Sequence, residues 1–486
     1  MPPFPLSILV WLPIVSGIIL LSLPNASDRL KGLALTTAIA CLIWSILLAG
    51  QFDFHSPTVQ LREYAPWLQE IGLDYTLGVD GVSLPLLWLN NLLVAIAIFA
   101  SNPRLRPRLY FGLILLTGGG VNGAFVAQNI LLFFLFFELE LIPLYLLISI
   151  WGGERRSYAG TKFLIYTAVS GIFLLASCFG CAAFASEQGR ISFELTYLQA
   201  HPIPAFLQGI FLALLLISFG IKIPLVPLHS WLPDAHVEAD TPISVLLAGI
   251  LLKLGTYGLL RFGMGLYPAA WHSFAPYLAW WAVISVLYGC FTAITQTDMK
   301  KMVAYSSIGH MGYVLLALAS ATPLSMLGVM WQMISHGIIS ALLFLLVGII
   351  YTKTGTRDLN RLSGLLNFEC GLPFVGSLMI MAAMASAGIP GLMGFVAEFL
   401  IFRGSFAVFP AATLACMVGT GLTAVYFLIL LDKAFFGRIQ RVLPPVQWQE
   451  RVPVLILSLI VVLLGVQPNW LSSLLTGSIS HWASYL

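Results

Sequence analysis

Five ionisable residues stand inside long apolar runs: Glu138, Glu140, Lys222, Lys253 and Glu398. His229, His310 and His336 occupy equally apolar positions. A charged side chain at the centre of a bilayer costs about 2.5–3.5 kcal/mol even on insertion scales, so each such group requires a partner, water or a use. Glu138 and Glu140 lie in FFELELIPLYLL, at i and i+2. On one regular helix they point about 200° apart, which argues against a paired acid/base dyad. Lys222 lies in SFGIKIPLVPLHSWLPD, where Pro224, Pro227 and Pro233 follow it. Each proline removes a backbone donor, so the helix should break there. Broken helices at membrane depth are tolerated where they line a hydrated cavity, and they recur at ion sites. Lys253, in LLAGILLKLGTYGLLR, is about ten residues into its run, too deep to reach an interface easily. Glu398 follows a second break signal, AGIPGLMGFVAEF, with Gly388, Pro390, Gly391 and Gly394.

Burial disfavours a charge, and an opposite charge beside it restores it. A buried lysine–glutamate pair is therefore a switch: when the carboxylate moves away, the lysine loses its reason to hold a proton. A unit of pKa shift is 1.36 kcal/mol, comparable with the 2.3 kcal/mol needed per charge per 100 mV of membrane potential. Imidazoles supply the natural relay near neutral pH. The plainer readings are hydrogen-bonded structural carboxylates, packed core histidines and a lysine snorkelling to the interface.

The elements that must position these groups are membrane helices. The chain has 486 residues, 59% of them hydrophobic and 9% charged, with a mean hydropathy of +0.94. A soluble domain is about a quarter charged. A net charge of +3 leaves no nucleic-acid footprint, and six cysteines in so long a chain do not form a disulfide framework. Runs long enough to span occur at 4–23, 32–50, 82–101, 109–127, 130–151, 161–185, 206–232, 243–261, 275–295, 302–320, 324–351, 373–402, 411–431 and 453–471. The class is thus all-α, polytopic, with about 14 spans. Met1 leads into Pro2, Pro3 and Phe4 without a basic segment, so the first run reads as a retained span. Loops after odd-numbered spans hold 17 of the 23 Lys and Arg; loops after even-numbered spans hold four, Arg62, Arg190, Arg261 and Arg403. By the positive-inside rule both termini face away from the cytoplasm. The polar stretches 51–81 and 186–205 lie on the charge-poor side and are too short for a catalytic domain.

The two broken spans are numbers 7 and 12. An offset of five forces opposite orientation, so spans 4–8 (109–262) and 9–13 (275–431) are expected to form an inverted repeat, after an N-terminal three-helix segment (1–101) and before a C-terminal span (453–486). Walker, dinucleotide-binding and HExxH motifs are absent. Cys178 and Cys181 form CxxC within an apolar run, where small packing residues are the better reading than a metal or cluster site. The chain carries charge rather than electrons.

KIPLVPLHSWLPDAHVEADTPISVLLAGILLKLGTYGLLR, QTDMKKMVAYSSIGHMGYV and MISHGIISALLFLLVGIIYTKTGTRDL resemble the antiporter-like proton-channel subunits of respiratory complex I, of the subunit 4 (M) type. FFELELIPLYLLISIWGGERRSYAGTKFLIYTAVSG is most similar to their branch in the cyanobacterial and chloroplast NAD(P)H dehydrogenase-like complex. The resemblance covers nearly the whole chain. It implies a fourteen-helix fold with inverted five-helix repeats, in a thylakoid membrane, with lumenal termini. It implies a proton channel driven by redox chemistry elsewhere, in a translocase that reduces plastoquinone. This chain itself would hold no cofactor or metal; plastoquinone and iron–sulfur clusters would belong to partner membrane and hydrophilic subunits. By motif position Glu138, five before Pro143, is the span 5 glutamate paired with Lys222. Lys253 is the central lysine, Glu398 the terminal acid, and His310 and His336 connect them. The chain departs from the pattern at Met393, where a small hydroxylated residue is usual, and at Ala397, where glycine is common; Met393 could alter hydration near Glu398. It also ends soon after span 14, as do shorter copies that serve carbon dioxide uptake, for which extra carbon-uptake subunits would be partners.

Two other functions compete. A multi-subunit cation/proton antiporter shares the fold, and small antiporter subunits would then be its partners. A structural scaffold is disfavoured by the cost of keeping both lysines, Glu138 and both breaks.

Overall fold

The computed structural model describes residues 4–24, 27–186, 191–439 and 441–483; Arg190 and the extreme chain ends lie outside them. Thirteen helices among the described residues are long and apolar enough to cross a membrane. They are Pro5–Ser22, Asp28–Gln51, Ser83–Ala100, Pro107–Val126, Ile130–Trp151, Arg156–Phe184, Ala205–Lys222, Thr241–Met264, Pro268–Ile294, Met299–Ser320, Pro323–Thr354, Pro410–Phe435 and Trp448–Val466. The fourteenth, span 12, is two short helices, Pro373–Ser386 and Met393–Phe406. Span 7 also breaks: it ends at Lys222, runs irregularly past Pro224 and Pro227, and resumes at Trp231–Glu238. Both breaks fall where the proline and glycine pattern placed them.

Spans 4, 8, 10 and 11 are buried almost throughout, and every residue in the most apolar stretch of span 8 is inside the protein. Spans 1, 2 and 14 are mostly outward-facing. Lys253, His310 and His336 lie on spans 8, 10 and 11, and therefore on the central axis of the bundle. Close approach of those helices depends on small residues. A Cβ on Gly337 would stand 2.7 Å from the Gly249 carbonyl, so the two glycines let spans 8 and 11 cross with backbones nearly touching.

Residues 51–81 are not featureless. Strand β1 (Gln60–Leu68) pairs antiparallel with β2 (Leu73–Val79), turning through Gly72 at φ +76°. Gln128 donates its backbone N–H to Thr76 (2.9 Å), and Asn129 bridges to Glu194, so the hairpin and the second polar stretch knit into one cap. Glu63 on β1 is buried and accepts from the Leu6 and Ser7 amides and the Ser7 hydroxyl at the start of span 1. At the other end of the bundle, Lys31, Arg104, Arg155, Lys300, Lys353 and Arg357 gather around two adjoining cavities, as the alternation of basic loops requires. Arg261 departs from its expected place in a loop. It is not a loop residue: span 8 continues to Met264, and Arg261 is buried in an ion pair with Asp80 (2.7 Å). A short helix, Asn469–Ala483, follows span 14.

Candidate functional site

Lys222 is the last residue of its helix, where the aligned carbonyls favour a cation. It is 1% exposed and ion-paired with Glu140, which is fully buried. Lys222 also lies 4.5 Å from the centre of the Phe137 ring. The break frees the Ile221 carbonyl, which accepts from Trp231 Nε1 (2.8 Å). The expected partner, Glu138, is half-buried instead, with its carboxylate against Gly171 of span 6, where a Cβ would stand 2.2 Å from Oε1. Pro143 has no N–H for the Leu139 carbonyl and its ring crowds that group, so the helix is interrupted at Glu140 between Ile130–Leu139 and Leu141–Trp151. Glu140 nevertheless keeps a right-handed helical backbone (φ −75°, ψ −20°), so the i, i+2 carboxylates still point apart, one inward and one outward, and it is Glu140 that meets Lys222. Lys222 and Glu140 are the charges that act on Glu138, so the three form one cluster.

Lys253 is fully buried and flanked by π-helical turns at Leu247–Leu251 and Leu259–Met264, a distortion that tends to mark functional sites. Its amine donates to the Ala248 carbonyl (2.6 Å) and lies 2.8 Å from His336 Nδ1. The Gly249–Gly337 crossing places them: Lys253 follows Gly249 by one turn, and His336 precedes Gly337. The His336 and His310 rings are 5.6 Å apart. His310 faces two carbonyls, Ser306 through Nδ1 (2.8 Å) and Ser386 through Nε2 (3.1 Å). As a cation it donates to both; neutral, it leaves one unserved. The Ser386 carbonyl is available because the first half of span 12 ends there.

Glu398 is buried with Oε1 3.8 Å from His310 Nε2, while its Oε2 accepts from the Thr420 hydroxyl (2.9 Å). A cavity of about 10 Å³ lies between His336, His310 and Glu398, lined also by Ser306, Gln332 and Ser386. That is room for one water. His336 Nε2 and Gln332 Oε1 have no protein partner among the described residues, and both residues border this space. Met393 does not line it; Gly394 does. The hydroxyl that the break motif lacks is supplied from span 13 by Thr420.

Lys253, His336, His310 and Glu398 are thus brought together, and Lys222 sits with Glu140 and Glu138 at a second cluster. Gly255 carries the two clusters close, since a Cβ there would stand 3.1 Å from Lys222 Cβ. Sequence reasoning did not single out Thr420, Gln332, Ser386 or the Asp80–Arg261 pair. It also passed over His236, which is buried, stacked on Phe344 (4.5 Å), with Lys300 and Lys253 as its charged neighbours. Its position in the AHVEAD segment beside a break was the available signal. No group of three or more His, Cys, Asp or Glu able to hold a metal occurs among the described residues. Cys178 and Cys181 are free and buried.

Residues 127–423 match the family described as NADH:quinone oxidoreductase/Mrp antiporter, transmembrane. The chain belongs to this family. It is 41% identical over 442 residues to NAD(P)H-quinone oxidoreductase chain 4 2 of Microcystis aeruginosa, covering 89% of this chain and 79% of that one. It is also 41% identical over 446 residues to the chain 4 protein of Prochlorococcus marinus, covering 89% and 82%. A chain of respiratory complex I from Thermus thermophilus superposes with a TM-score of 0.90 at 30% identity over 99% of both chains. A chain of the Mrp complex from Dietzia shares the fold, with a TM-score of 0.88 at 20% identity.

Proposed function

We propose that this chain is the proton-translocating, antiporter-like subunit of a cyanobacterial-type NAD(P)H-quinone oxidoreductase. The carrying observation is the buried line from Lys253 through His336 and a water-sized cavity to Glu398, headed by the Lys222–Glu140 pair. Each member has a hydrogen-bonding or titratable neighbour within a few ångströms, as a relay requires. Buried ions cost several kcal/mol each to desolvate, so Lys222 and Glu140 hold their charges by holding each other. Separating them frees a proton at Lys222, and the adjacent amine at Lys253 responds to that charge. Lys253 passes its proton to His336 Nδ1; the ring and a water carry it to Glu398. Glu138, on its own helical segment beside Gly171, acts on the pair from outside.

The chemistry that drives the separation belongs to partner subunits, which would hold plastoquinone and the iron–sulfur clusters. The membrane is the thylakoid, with both termini in the lumen; the cyanobacterial relatives and the clustering of basic residues at one end support this. Residues 109–262 and 275–431 are read as inverted halves. Equivalent contacts support that reading: span 5 to span 7 through Glu140–Lys222, and span 10 to span 12 through His310–Glu398.

The test is Lys253→Met in the assembled complex, sealed in vesicles. Quinone-linked proton uptake should fall at least tenfold with subunit composition unchanged. Wild-type proton uptake per quinone reduced would overturn the reading.

A further inference from the structure

We propose that the groove between spans 2 and 3 on one side and spans 11 and 14 on the other binds one anionic membrane glycerolipid. The headgroup lies at the basic end, and an acyl chain runs inward. Two cavities lie along this groove. The first, about 500 Å³, has Lys31, Arg104 and Lys353 in its wall and opens at the basic end of the bundle. The second, about 390 Å³, is walled by apolar side chains, among them Leu42, Trp88, Ile338 and Leu464.

The same four helices line both, each with a single face. Span 2 contributes Lys31 to the first and Leu42 and Ile46 to the second. Span 11 contributes Ile349 and then Ile338; span 14 contributes Pro453 and then Ile460. Those spacings of 7 and 11 residues return to one side of a helix. From Ile349 to Ile338 the rise is about 16 Å at 1.5 Å per residue. That is about half of the roughly 30 Å hydrocarbon core, the depth of one leaflet. The polar and the apolar cavity therefore stand about one leaflet apart, the separation of a lipid's headgroup from its acyl chain.

Its charge selects the headgroup. Lys353 is neutralised by Glu450 (2.8 Å). Asp240 caps the helix at Thr241 and accepts from the Tyr110 hydroxyl (3.1 Å); it stays anionic, so the wall keeps one net positive charge. The wall cations outside any ion pair among the described residues are Lys31, with Asp28 as its charged neighbour, and Arg104. Lys31 spends one donor on the Ser101 carbonyl (2.7 Å) and keeps two. Arg104 is exposed and has no carboxylate partner among the described residues. Basic pockets between helices at this face suit phosphate-bearing headgroups. At the apolar end the Trp88 indole N–H is spent on the Ser45 carbonyl (2.8 Å). This site is separate from the proton relay and does not depend on it.

The experiment uses the whole complex in phosphatidylcholine nanodiscs doped with phosphatidylglycerol bearing a photoreactive acyl chain. Cross-linked peptides are identified by mass spectrometry. Labelling should concentrate on the segments holding Leu42, Ile46 and Leu464. Lys31→Gln and Arg104→Gln should each lower it about fivefold, the effect of about 1 kcal/mol per basic residue. Leu464→Trp should abolish it by filling the apolar cavity, with both cations intact. Millimolar inorganic phosphate should not compete. Equal labelling by photoreactive phosphatidylcholine, or labelling spread evenly over the outer helices, would overturn the proposal. So would displacement by free phosphate.

Discussion

Substituting Glu140 by Gln removes the counter-charge of an ammonium that is 1% exposed. For charges about 4 Å apart at an effective dielectric near 20, the lost attraction is about 4 kcal/mol. Breaking one side of a buried pair costs about 3–5 kcal/mol in practice, because the survivor stays unpaired. Lys222→Met leaves the mirror problem at Glu140 and should cost a similar amount. The double variant leaves no orphan, so the two losses should not add, and a coupling of about 3 kcal/mol or more is expected, against about 0.5 kcal/mol for independent sites. Read as heat-inactivation rates of the assembled complex, about 1.36 kcal/mol per tenfold, that coupling is roughly two decades or more. The same cycle run with Glu138→Gln should give a smaller value, since the Lys222 ion pair is made to Glu140. Proton uptake by vesicles should be lost in both Lys222 variants, whatever their stability. Full additivity of Glu140→Gln and Lys222→Met would refute the pairing. Strong coupling of Lys222 with Glu138 and none with Glu140 would return the role to the residue that motif position suggested.

Further outcomes follow from particular contacts. Gly171→Leu should displace the Glu138 carboxylate, since a Cβ would meet Oε1 at 2.2 Å, and should impair proton uptake more than Gly171→Ala while leaving quinone reduction intact. Thr420→Val keeps the shape but deletes the donor to Glu398 Oε2; infrared spectroscopy should show its carboxyl stretch shifted, and Thr420→Ser should restore it. Asp80→Asn strips a buried Arg261 of its counter-charge and should cost about 3–5 kcal/mol, seen as reduced assembly. Burial raises the Glu63 carboxyl above the ordinary carboxylate value, against the opposing hydrogen bonds from Ser7 and Leu6. A raised acid binds more protons docked than free, so docking of the hairpin on span 1 should strengthen as pH falls through its titration and weaken as pH rises. Proteolysis of the 51–81 segment should show that trend, and Glu63→Gln should flatten it.

Composition and run length were enough to establish a helical membrane protein with fourteen crossings, because a bilayer imposes about 20 apolar residues per span. Pro224, Pro227, Gly388 and Pro390 marked both breaks, since a missing N–H or a freed backbone acts locally. The intramembrane charges were legible one at a time, because each is costly wherever its neighbours are. What residue spacing could not give was who faces whom. The i, i+2 spacing sends Glu138 and Glu140 to opposite sides of their helix but does not say which of them meets Lys222. The Lys253–His336 contact depends on the Gly249–Gly337 crossing, 88 residues apart in the chain. Thr420 replaces a hydroxyl missing from another helix. Arg261 read as a loop cation because its partner, Asp80, lies far away in sequence. Local physics set the spans, the breaks and the list of costly residues. The pairings came from the tertiary structure alone, because a buried charge is satisfied by whatever packing brings to it.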